Sequence, residues 1–482
     1  MTVAQTAYGK DRGAGIADGV VAWRGIPYAR PPTGELRLRP PEWPARWAGV
    51  RDATTSGNRS LQPEPEPEPG LPPMGEDCLY LNVTAPAGAA GRPELFWTHG
   101  GGYETGHGAD QAGDGAAFAA SHGLVVVTFN YRLGALGFLD VEGERPTGAL
   151  GLHDQIAALR WTRANIASFG GDPAQITVYG LSAGGKTVTN LLASPLTKGA
   201  IRRAAESSGG DHLKSRQQAQ TLAGRFFREL GTTPERIRAV PARDILDAQM
   251  AIATPPRSSW IWRPSIDGTA LTAHPVAAIA DGAAAGIPLL AQTCARECAY
   301  YALLAPDTAE QADRVLEEYF GAQARDKLLA AYAANHPDLD EGALRVAVMS
   351  DERYVVRTGR LTDAQSAHAP AWRSRYDGPY TGLADDPALA PFENLLDGAH
   401  GADGHGVWQG GEGLFGQLHD AWGAFVTTGD PGWARYTTSG RDAMIFAAPG
   451  GYQASDPFAD VREAWAGLDW QPGPWWSFES AR

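Results

Sequence analysis

The segment Gly-Leu-Ser-Ala-Gly-Gly at residues 180–185 constrains the fold more than any other part of the chain. It follows the apolar residues 176–179 and precedes a segment that is able to begin a helix. Glycines two positions before and after Ser182 fit a strand-to-helix turn that is too tight for side chains. Such a turn presents the Ser182 hydroxyl as a nucleophile. Because glycine is abundant in this chain, the motif alone has low specificity and needs support from other segments.

A second glycine-rich segment, His-Gly-Gly-Gly at residues 99–102, directly follows the strand candidate at residues 94–98. Three consecutive glycines let the backbone approach a bound carbonyl group and turn its N–H groups toward it. We interpret the segment as an oxyanion-binding loop, in which the N–H groups of Gly101 and Gly102 act together with that of Ala183. The alternative is a flexible glycine loop, and the position between a strand and the Ser182 turn favours the first interpretation.

Short apolar segments alternate with segments of helical periodicity in the first part of the chain. Near-continuous apolar runs suit strands that are buried on both faces of a parallel sheet. Between them, residues 153–168 carry apolar side chains at helical spacing. The alternation predicts an α/β fold with a mostly parallel central sheet and helices on both faces. The strand candidates are residues 94–98, 124–129, 176–179 and 287–290.

The chain shows no linker-like break, and we predict a single domain over residues 1–482. After Ser208 the pattern becomes mainly helical. We interpret the segments around residues 210–262 and 306–366 as helical insertions that pack over one end of the sheet, above the active site. The alternating Pro-Glu tract at residues 63–69 predicts an extended acidic surface loop.

Composition limits the classes of partner. The formal net charge is −14 and the chain has no run of basic residues, which argues against nucleic acid and anionic membranes as partners. No segment approaches the roughly 18 consecutive apolar residues that a membrane-spanning helix needs. The first residues lack the charged and apolar regions of a secretory signal. We therefore expect a cytoplasmic location.

The three cysteines are too few for a disulfide framework and odd in number. Cys294 and Cys298 have the spacing of a metal-binding pair, but no histidine lies nearby to complete a site. We predict buried free thiols at these positions and at Cys78. Accordingly, we expect neither a metal nor a cofactor.

Further motifs resemble the type-B carboxylesterase and cholinesterase family, in a bacterial-type form. The resemblance covers nearly the whole chain and implies an α/β-hydrolase fold. Residues 25–29 (Gly-Ile-Pro-Tyr-Ala) and residues 31–37 are similar to the N-terminal signature of the family, and residues 76–83 (Glu-Asp-Cys-Leu-Tyr-Leu-Asn-Val) are similar to its second signature. Residues 169–173 lead into the serine motif as in family members, and spacings near the C-terminus are also similar, at Trp422, Phe425, Gly429, Pro431, Trp433 and Tyr436.

The resemblance implies an acid and a base for Ser182. The family carries a glutamate nine residues after a proline that opens a core strand, and Glu297 follows Pro288 at that distance. A glutamate just past the carboxyl end of a buried strand also lies where α/β sheets place functional groups. The sequence around His400 is similar to the family's histidine motif, so we favour His400 as the base over the alternative, His405.

Four further residues are candidates for supporting roles. His99 is expected to brace the oxyanion loop, and the resemblance implies that Ser208 is a hydroxyl near the acid. Leu181 replaces the glutamate that usually precedes the nucleophile in the family, which disfavours a cationic, choline-like substrate. Lys186 is expected to be solvated. If it faced the site instead, it would favour substrates that bear a carboxylate.

These features predict a serine hydrolase that cleaves small-molecule carboxylic esters through an acyl-enzyme, with Ser182, His400 and Glu297 as its triad. An acyl transferase or lactone-forming enzyme with the same triad is the alternative, and Leu181 keeps it open. A non-catalytic binding protein is a third alternative. Trp260, Trp262 and Trp408 are candidates for lining the substrate pocket, although core packing explains them equally well.

Overall fold

The computed structural model describes residues 2–64, 70–109, 115–141, 143, 147–253, 261–304, 308–381 and 395–468. Most of the predicted acidic loop at residues 63–69 lies outside these residues, as does Trp260. The described residues form strands and helices with the following bounds. The strands are β1 Thr2–Gln5, β2 Lys10–Ala17, β3 Val20–Pro27, β4 Val50–Asp52, β5 Arg59–Ser60, β6 Met74–Gly75, β7 Tyr80–Pro86, β8 Arg92–Thr98, β9 Val125–Phe129, β10 Gly171–Leu181, β11 Arg203–Ser207, β12 Leu289–Cys294, β13 Ala371–Tyr376, β14 Asp442–Phe446 and β15 Tyr452–Ser455. The helices are α1 Ala116–His122, α2 Gly134–Phe138, α3 Leu150–Asn165, α4 Ala183–Ala193, α5 Arg216–Leu230, α6 Ala242–Ile252, α7 Pro275–Ala280, α8 Ala299–Leu304, α9 Thr308–Phe320, α10 Ala322–Asn335, α11 Glu341–Ser350, α12 Val356–Ser366, α13 Gly404–Gln409, α14 Gly413–Thr428 and α15 Ala459–Ala464.

The strands form one large mixed sheet and one small sheet. The order in the large sheet is β1-β2-β3-β7-β9-β8-β10-β11-β12-β13-β14-β15, and β4 pairs with β2. All neighbouring strands from β9 to β14 in this order pair in parallel. The remaining neighbours in the order pair antiparallel, and β4 pairs with β2 in parallel. The prediction of a mostly parallel central sheet is thus confirmed. β5 and β6 form the small sheet.

Helices cover both faces of the sheet, as predicted. Along β10, Val178 belongs to one hydrophobic cluster, with side chains of α3 and α4, while Tyr179 belongs to another, with side chains of α14. Because side chains alternate across a strand, a strand that is covered on both sides needs apolar residues at consecutive positions. This requirement explains the continuous apolar runs in the sequence.

The order of the parallel strands brings three predicted segments to one edge of the sheet. β8 ends at Thr98, β10 ends at Leu181 and β12 ends at Cys294. The strands are parallel, so their carboxyl ends share one edge, where α/β sheets place ligand sites. The glycine loop, the Ser182 turn and Glu297 therefore start from the same edge.

The predicted strand at residues 287–290 has different bounds in the structure. Pro288 has no N–H to donate to a ladder, and β12 begins at Leu289. The strand continues to Cys294 through the buried polar residue Gln292, which accepts a hydrogen bond from Ser374 of β13 at 2.9 Å. Glu297 consequently lies three residues beyond the end of the strand instead of seven.

The predicted helical segments also differ in detail. Between residues 210 and 253 the structure contains α5, α6 and a short 3₁₀ helix, Pro234–Ala239. Between residues 308 and 366 it contains α9 to α12, with a π-helical turn, Asp351–Val355, between α11 and α12. Single π turns inside α-helices are frequent at functional sites.

Trp262 and Trp408 lie in different hydrophobic clusters. Trp262 packs edge-on against Phe226, with ring centroids 5.7 Å apart, in one hydrophobic cluster. Trp408 packs against Trp97 at 5.1 Å in the other cluster. Both side chains are buried, so core packing accounts for them.

A buried ion pair anchors the segment after β9 to helix α3. Arg132 donates two hydrogen bonds to the Asp154 carboxylate, from Nε and from a terminal nitrogen, each at 2.7 Å. Its backbone N–H donates a third at 3.1 Å. The side chains are 3% and 0% exposed, so neither charge has access to water if the other is removed.

We predict that Asp154→Asn lowers the free energy of unfolding by about 3–5 kcal/mol, because it leaves the Arg132 charge buried without its counterion. Urea unfolding of the variant measures this change. The control is Asp247→Asn, which breaks an exposed ion pair with Arg243 on one face of α6. It should cost no more than about 0.5 kcal/mol, and equal losses in the two variants would contradict the prediction.

Candidate active site

Ser182 lies in a strained turn between β10 and α4. Its φ is 59° and its ψ is −119°, a conformation that L-residues rarely adopt. Steric contact explains the flanking glycines. A Cβ on Gly180 would lie 2.2 Å from the Gly184 backbone, and a Cβ on Gly184 would lie 2.0 Å from the Thr98 carbonyl oxygen. The strand-to-helix turn predicted from the sequence is therefore confirmed. The structure adds that this turn lies close to the end of β8.

The glycine loop, residues 99–102, lies close to the backbone of this turn. A Cβ on Gly100 would lie 3.0 Å from the Leu181 carbonyl oxygen, and a Cβ on Gly101 would lie 2.3 Å from the Thr105 carbonyl oxygen. Gly101 and Gly102 both have positive φ, 94° and 64°. The backbone of the loop thus comes close to Ser182 because no side chains separate them.

The His99 side chain contacts the glycine loop and a neighbouring aromatic ring. Its Nδ1 lies 2.9 Å from the Gly100 carbonyl oxygen, and its ring stacks on Tyr131 with centroids 4.5 Å apart. These contacts are consistent with the expected bracing role.

Ala183 is the first residue of α4. The first N–H groups of a helix have no acceptor within the helix and carry partial positive charge. The N–H of Ala183 thus lies at the helix end next to Ser182, where it can donate a hydrogen bond to an anionic oxygen.

Glu297 is fully buried, and its carboxylate accepts three hydrogen bonds. Oε1 accepts from the Ser208 hydroxyl at 2.7 Å and from the Cys294 backbone N–H at 2.8 Å. Oε2 is 2.6 Å from Nδ1 of His400. The Ser208 contact agrees with the role that the family resemblance implied.

His400 is the histidine that the structure brings to Glu297. Besides the side-chain contact, its backbone N–H donates to the Glu297 carbonyl oxygen at 3.2 Å. Its ring packs against Tyr354, with centroids 4.6 Å apart. His405 is exposed and packs against Phe415. Of the two candidates, only His400 therefore contacts the acid.

The hydrogen bonds of the described residues include none that joins Ser182 to His400. With Nδ1 engaged by Glu297, Nε2 is the ring nitrogen left for Ser182. Catalytic hydrogen bonds are often long in ligand-free enzymes and shorten when substrate binds.

A small cavity of about 20 Å³ adjoins Ser182. This volume holds one or two water molecules. A larger cavity of about 810 Å³ lies elsewhere, beside α11, and neither Ser182 nor His400 lines it. The residues that line the small cavity are Gly102, Tyr103, Ser182, Ala183, Lys186, His212, Arg263, Arg353 and Tyr354.

Lys186 is buried at this cavity, so the expectation of a solvated side chain was wrong. The side chain is 5% exposed, and its Nζ lies 4.5 Å from the centroid of the Tyr354 ring. Burial and the nearby Arg353 charge lower the pKa of Lys186 to about 7, although Glu206 and Glu297 act in the opposite direction. The reason for the burial is helical spacing: four residues after Ser182, Lys186 lies on the same face of α4.

Comparison with known proteins agrees with this geometry. Residues 1–408 match the carboxylesterase family. The chain belongs to this family. It is 35% identical to para-nitrobenzyl esterase of Bacillus subtilis (strain 168), over 92% of this chain and 94% of the relative. It is 34% identical to fumonisin B1 esterase of Sphingopyxis macrogoltabida, over 90% and 84% of the two chains.

Solved structures show the same fold. A carboxylesterase of Geobacillus stearothermophilus superposes with a TM-score of 0.83 and 34% identity, over 96% of this chain and 100% of that one. The solved structure of a PNB esterase gives a TM-score of 0.83 at 33% identity, over 96% of this chain and 99% of that one. The chain accordingly has the α/β-hydrolase fold and is a carboxylic ester hydrolase of the serine type.

Several residues near Ser182 were not singled out from the sequence. Arg353 and Tyr354 lie in the π-helical turn. His212 lies in the segment after β11, and Arg263 lies in the segment before α7. No sequence motif marks these positions. The π turn that contains Arg353 and Tyr354 becomes visible only in the structure.

The three cysteines are buried and free, as predicted. No group of three metal-ligating side chains occurs among the described residues. In the same part of the chain, no helix is long and apolar enough to cross a membrane.

We predict that Gly184→Ala lowers the free energy of unfolding by about 1–3 kcal/mol, the usual cost of overpacking. The added methyl group would meet carbonyl oxygens of Thr98 and His99, which belong to backbone and cannot turn aside. Urea unfolding measures the loss. Gly15→Ala is the control, because a Cβ there has its nearest neighbour at 3.8 Å. A variant at Gly184 as stable as the control would refute the steric account.

Proposed function

We propose that Ser182, His400 and Glu297 form a catalytic triad that cleaves carboxylic esters through an acyl-enzyme. The observation that carries the proposal is the arrangement around His400. Glu297 holds Nδ1 at 2.6 Å, and this contact orients the opposite nitrogen, Nε2, for proton transfer. The strained turn at Ser182, on the same edge of the sheet, supplies the nucleophile.

In the proposed first step, the Ser182 oxygen attacks the ester carbonyl while His400 takes its proton at Nε2. Glu297 stabilises the imidazolium that forms and remains ionised. This step requires Nε2 and the Ser182 oxygen to come within about 2.6–3.2 Å when the ester binds. His400 then gives the proton to the departing alcohol, and the acyl group stays on Ser182.

In the second step, His400 removes a proton from a water molecule, and the hydroxide attacks the carbonyl carbon of the acyl-enzyme. His400 then returns this proton to the Ser182 oxygen as the bond to the acyl group breaks, which releases the acid and restores the enzyme. In both steps the N–H groups of Gly101, Gly102 and Ala183 stabilise the negative charge on the carbonyl oxygen. In other serine hydrolases, loss of one such donor costs about 2.7–4 kcal/mol of transition-state stabilisation. The positive φ of both glycines and the helix position of Ala183 support this assignment.

Turnover of 4-nitrophenyl acetate by the purified enzyme tests the proposal. Sustained release of nitrophenolate is expected for a hydrolase. A burst of one equivalent without further turnover would instead favour acyl transfer to another acceptor, the alternative that Leu181 raises. Ser182→Ala should abolish the release, and retention of activity in this variant would exclude Ser182 as the nucleophile.

Glu297→Gln should reduce kcat by about 10³–10⁴-fold, because the amide favours the wrong tautomer of His400 and cannot stabilise its charge. Steady-state kinetics with 4-nitrophenyl acetate provide the measurement. The matched control is Glu412→Gln, at an exposed position before α14, which should leave kcat unchanged. A Glu297→Gln enzyme that remains folded and as active as the control would rule out Glu297 as the acid.

A further inference from the structure

Three cationic side chains and no carboxylate line the small cavity beside Ser182. Lys186, Arg263 and Arg353 are 5%, 2% and 2% exposed. We call these three residues the cationic cluster. Buried cations near one another raise each other's free energy, and an anion placed among them lowers it. The cluster therefore favours a negatively charged group in the cavity.

The position of Lys186 is fixed by packing. Its Nζ lies over the Tyr354 ring, and such cation–π contacts are stabilising in desolvated sites. Among the described residues, no hydrogen bond or ion pair engages this ammonium group. An ammonium group has three donors, so a second partner is needed to satisfy them.

Buried acids lie near the cationic cluster, but they do not line the cavity. Glu206 and Glu297 act on Lys186 electrostatically, and Glu352 and Asp211 lie 3.5 and 3.8 Å from Arg357. The side chains that line the cavity therefore include cations and no carboxylate.

We propose that the cationic cluster binds a carboxylate of the substrate, so that the enzyme prefers esters that carry a free carboxylate in their acyl or alcohol portion. The inference rests on the proposed function of Ser182, since the cavity adjoins that residue. Binding involves no covalent step beyond the ester cleavage already described.

Two pairs of chromogenic esters test the proposal and separate the two portions of the substrate. For the acyl portion, mono(4-nitrophenyl) adipate is compared with its neutral methyl ester. For the alcohol portion, 3-carboxy-4-nitrophenyl acetate is compared with its neutral methyl ester. In the wild-type enzyme, kcat/KM should be about tenfold or more higher for the charged member of at least one pair, the effect of a hydrogen-bonded charge. Equal or higher values for the neutral member of both pairs would overturn the proposal.

Lys186→Met keeps the length of the side chain and removes its charge. The ratio of kcat/KM for the charged ester to that for the neutral ester should fall about tenfold in the preferred pair. Lys186→Arg should retain much of the ratio. Lys198→Met, at an exposed position beyond α4, is the control and should leave the ratio unchanged. An unchanged ratio in Lys186→Met would overturn the proposal.

The experiment separates this proposal from that of the triad. Turnover of the neutral esters that disappears in Ser182→Ala supports the triad whatever the ratio is. No turnover of any of the four esters would overturn both proposals. If Lys186→Met does not fold, the wild-type preference between the members of each pair still decides the question.

Discussion

The close approach of Gly184 to the Thr98 carbonyl oxygen is the constraint on which the site depends. A Cβ at Gly184 would lie 2.0 Å from that oxygen, so the start of α4 can lie against the end of β8 only without a side chain. This contact brings the N-terminus of α4 close to the end of β8, from which the glycine loop continues toward Ser182. The parallel sheet then adds Glu297 from the end of β12, because the carboxyl ends of its strands share one edge. The proposed nucleophile, N–H donors and acid thus come from separate segments that share one edge of the sheet.

Features that depend on local backbone chemistry could be predicted from the sequence. The Ser182 turn and the loop at residues 99–102 require glycine wherever a Cβ would collide, and glycine spacing is visible in the sequence. The mostly parallel sheet was also predictable, because strands buried on both faces need continuous apolar runs. His400 was assigned through resemblance to a family, and Glu297 through that resemblance together with its position just past a buried strand. Their contact at 2.6 Å joins residues that are 103 positions apart, and no local pattern encodes it.

Features that depend on which helix face meets which cavity could not be predicted. Lys186 looked like a solvated lysine, yet it is buried because the turn at Ser182 points that face of α4 into the site. Residues 306–366 were predicted only as a helical insertion, and the π turn within them places Arg353 and Tyr354 at the cavity. In these two cases the outcome depends on tertiary packing. The start of β12 was misplaced for a local reason, because its apolar pattern was weighed above the missing N–H of Pro288.

The charges of the site are separated in a way that suits the proposed chemistry. Glu297 contacts Nδ1 of His400, whereas the cationic cluster lines the cavity beside Ser182. Proton transfer from Ser182 to His400 creates a positive imidazolium next to the buried carboxylate and a negative oxygen on the side of the cations. Both new charges therefore form where fixed groups of opposite sign already lie, and fixed groups need little reorganisation during the reaction. The same charges are the basis of the proposed preference for a substrate carboxylate at the cavity beside Ser182. One arrangement of buried charge thus underlies both proposals, the formation of an acyl-enzyme and the preference for an anionic ester.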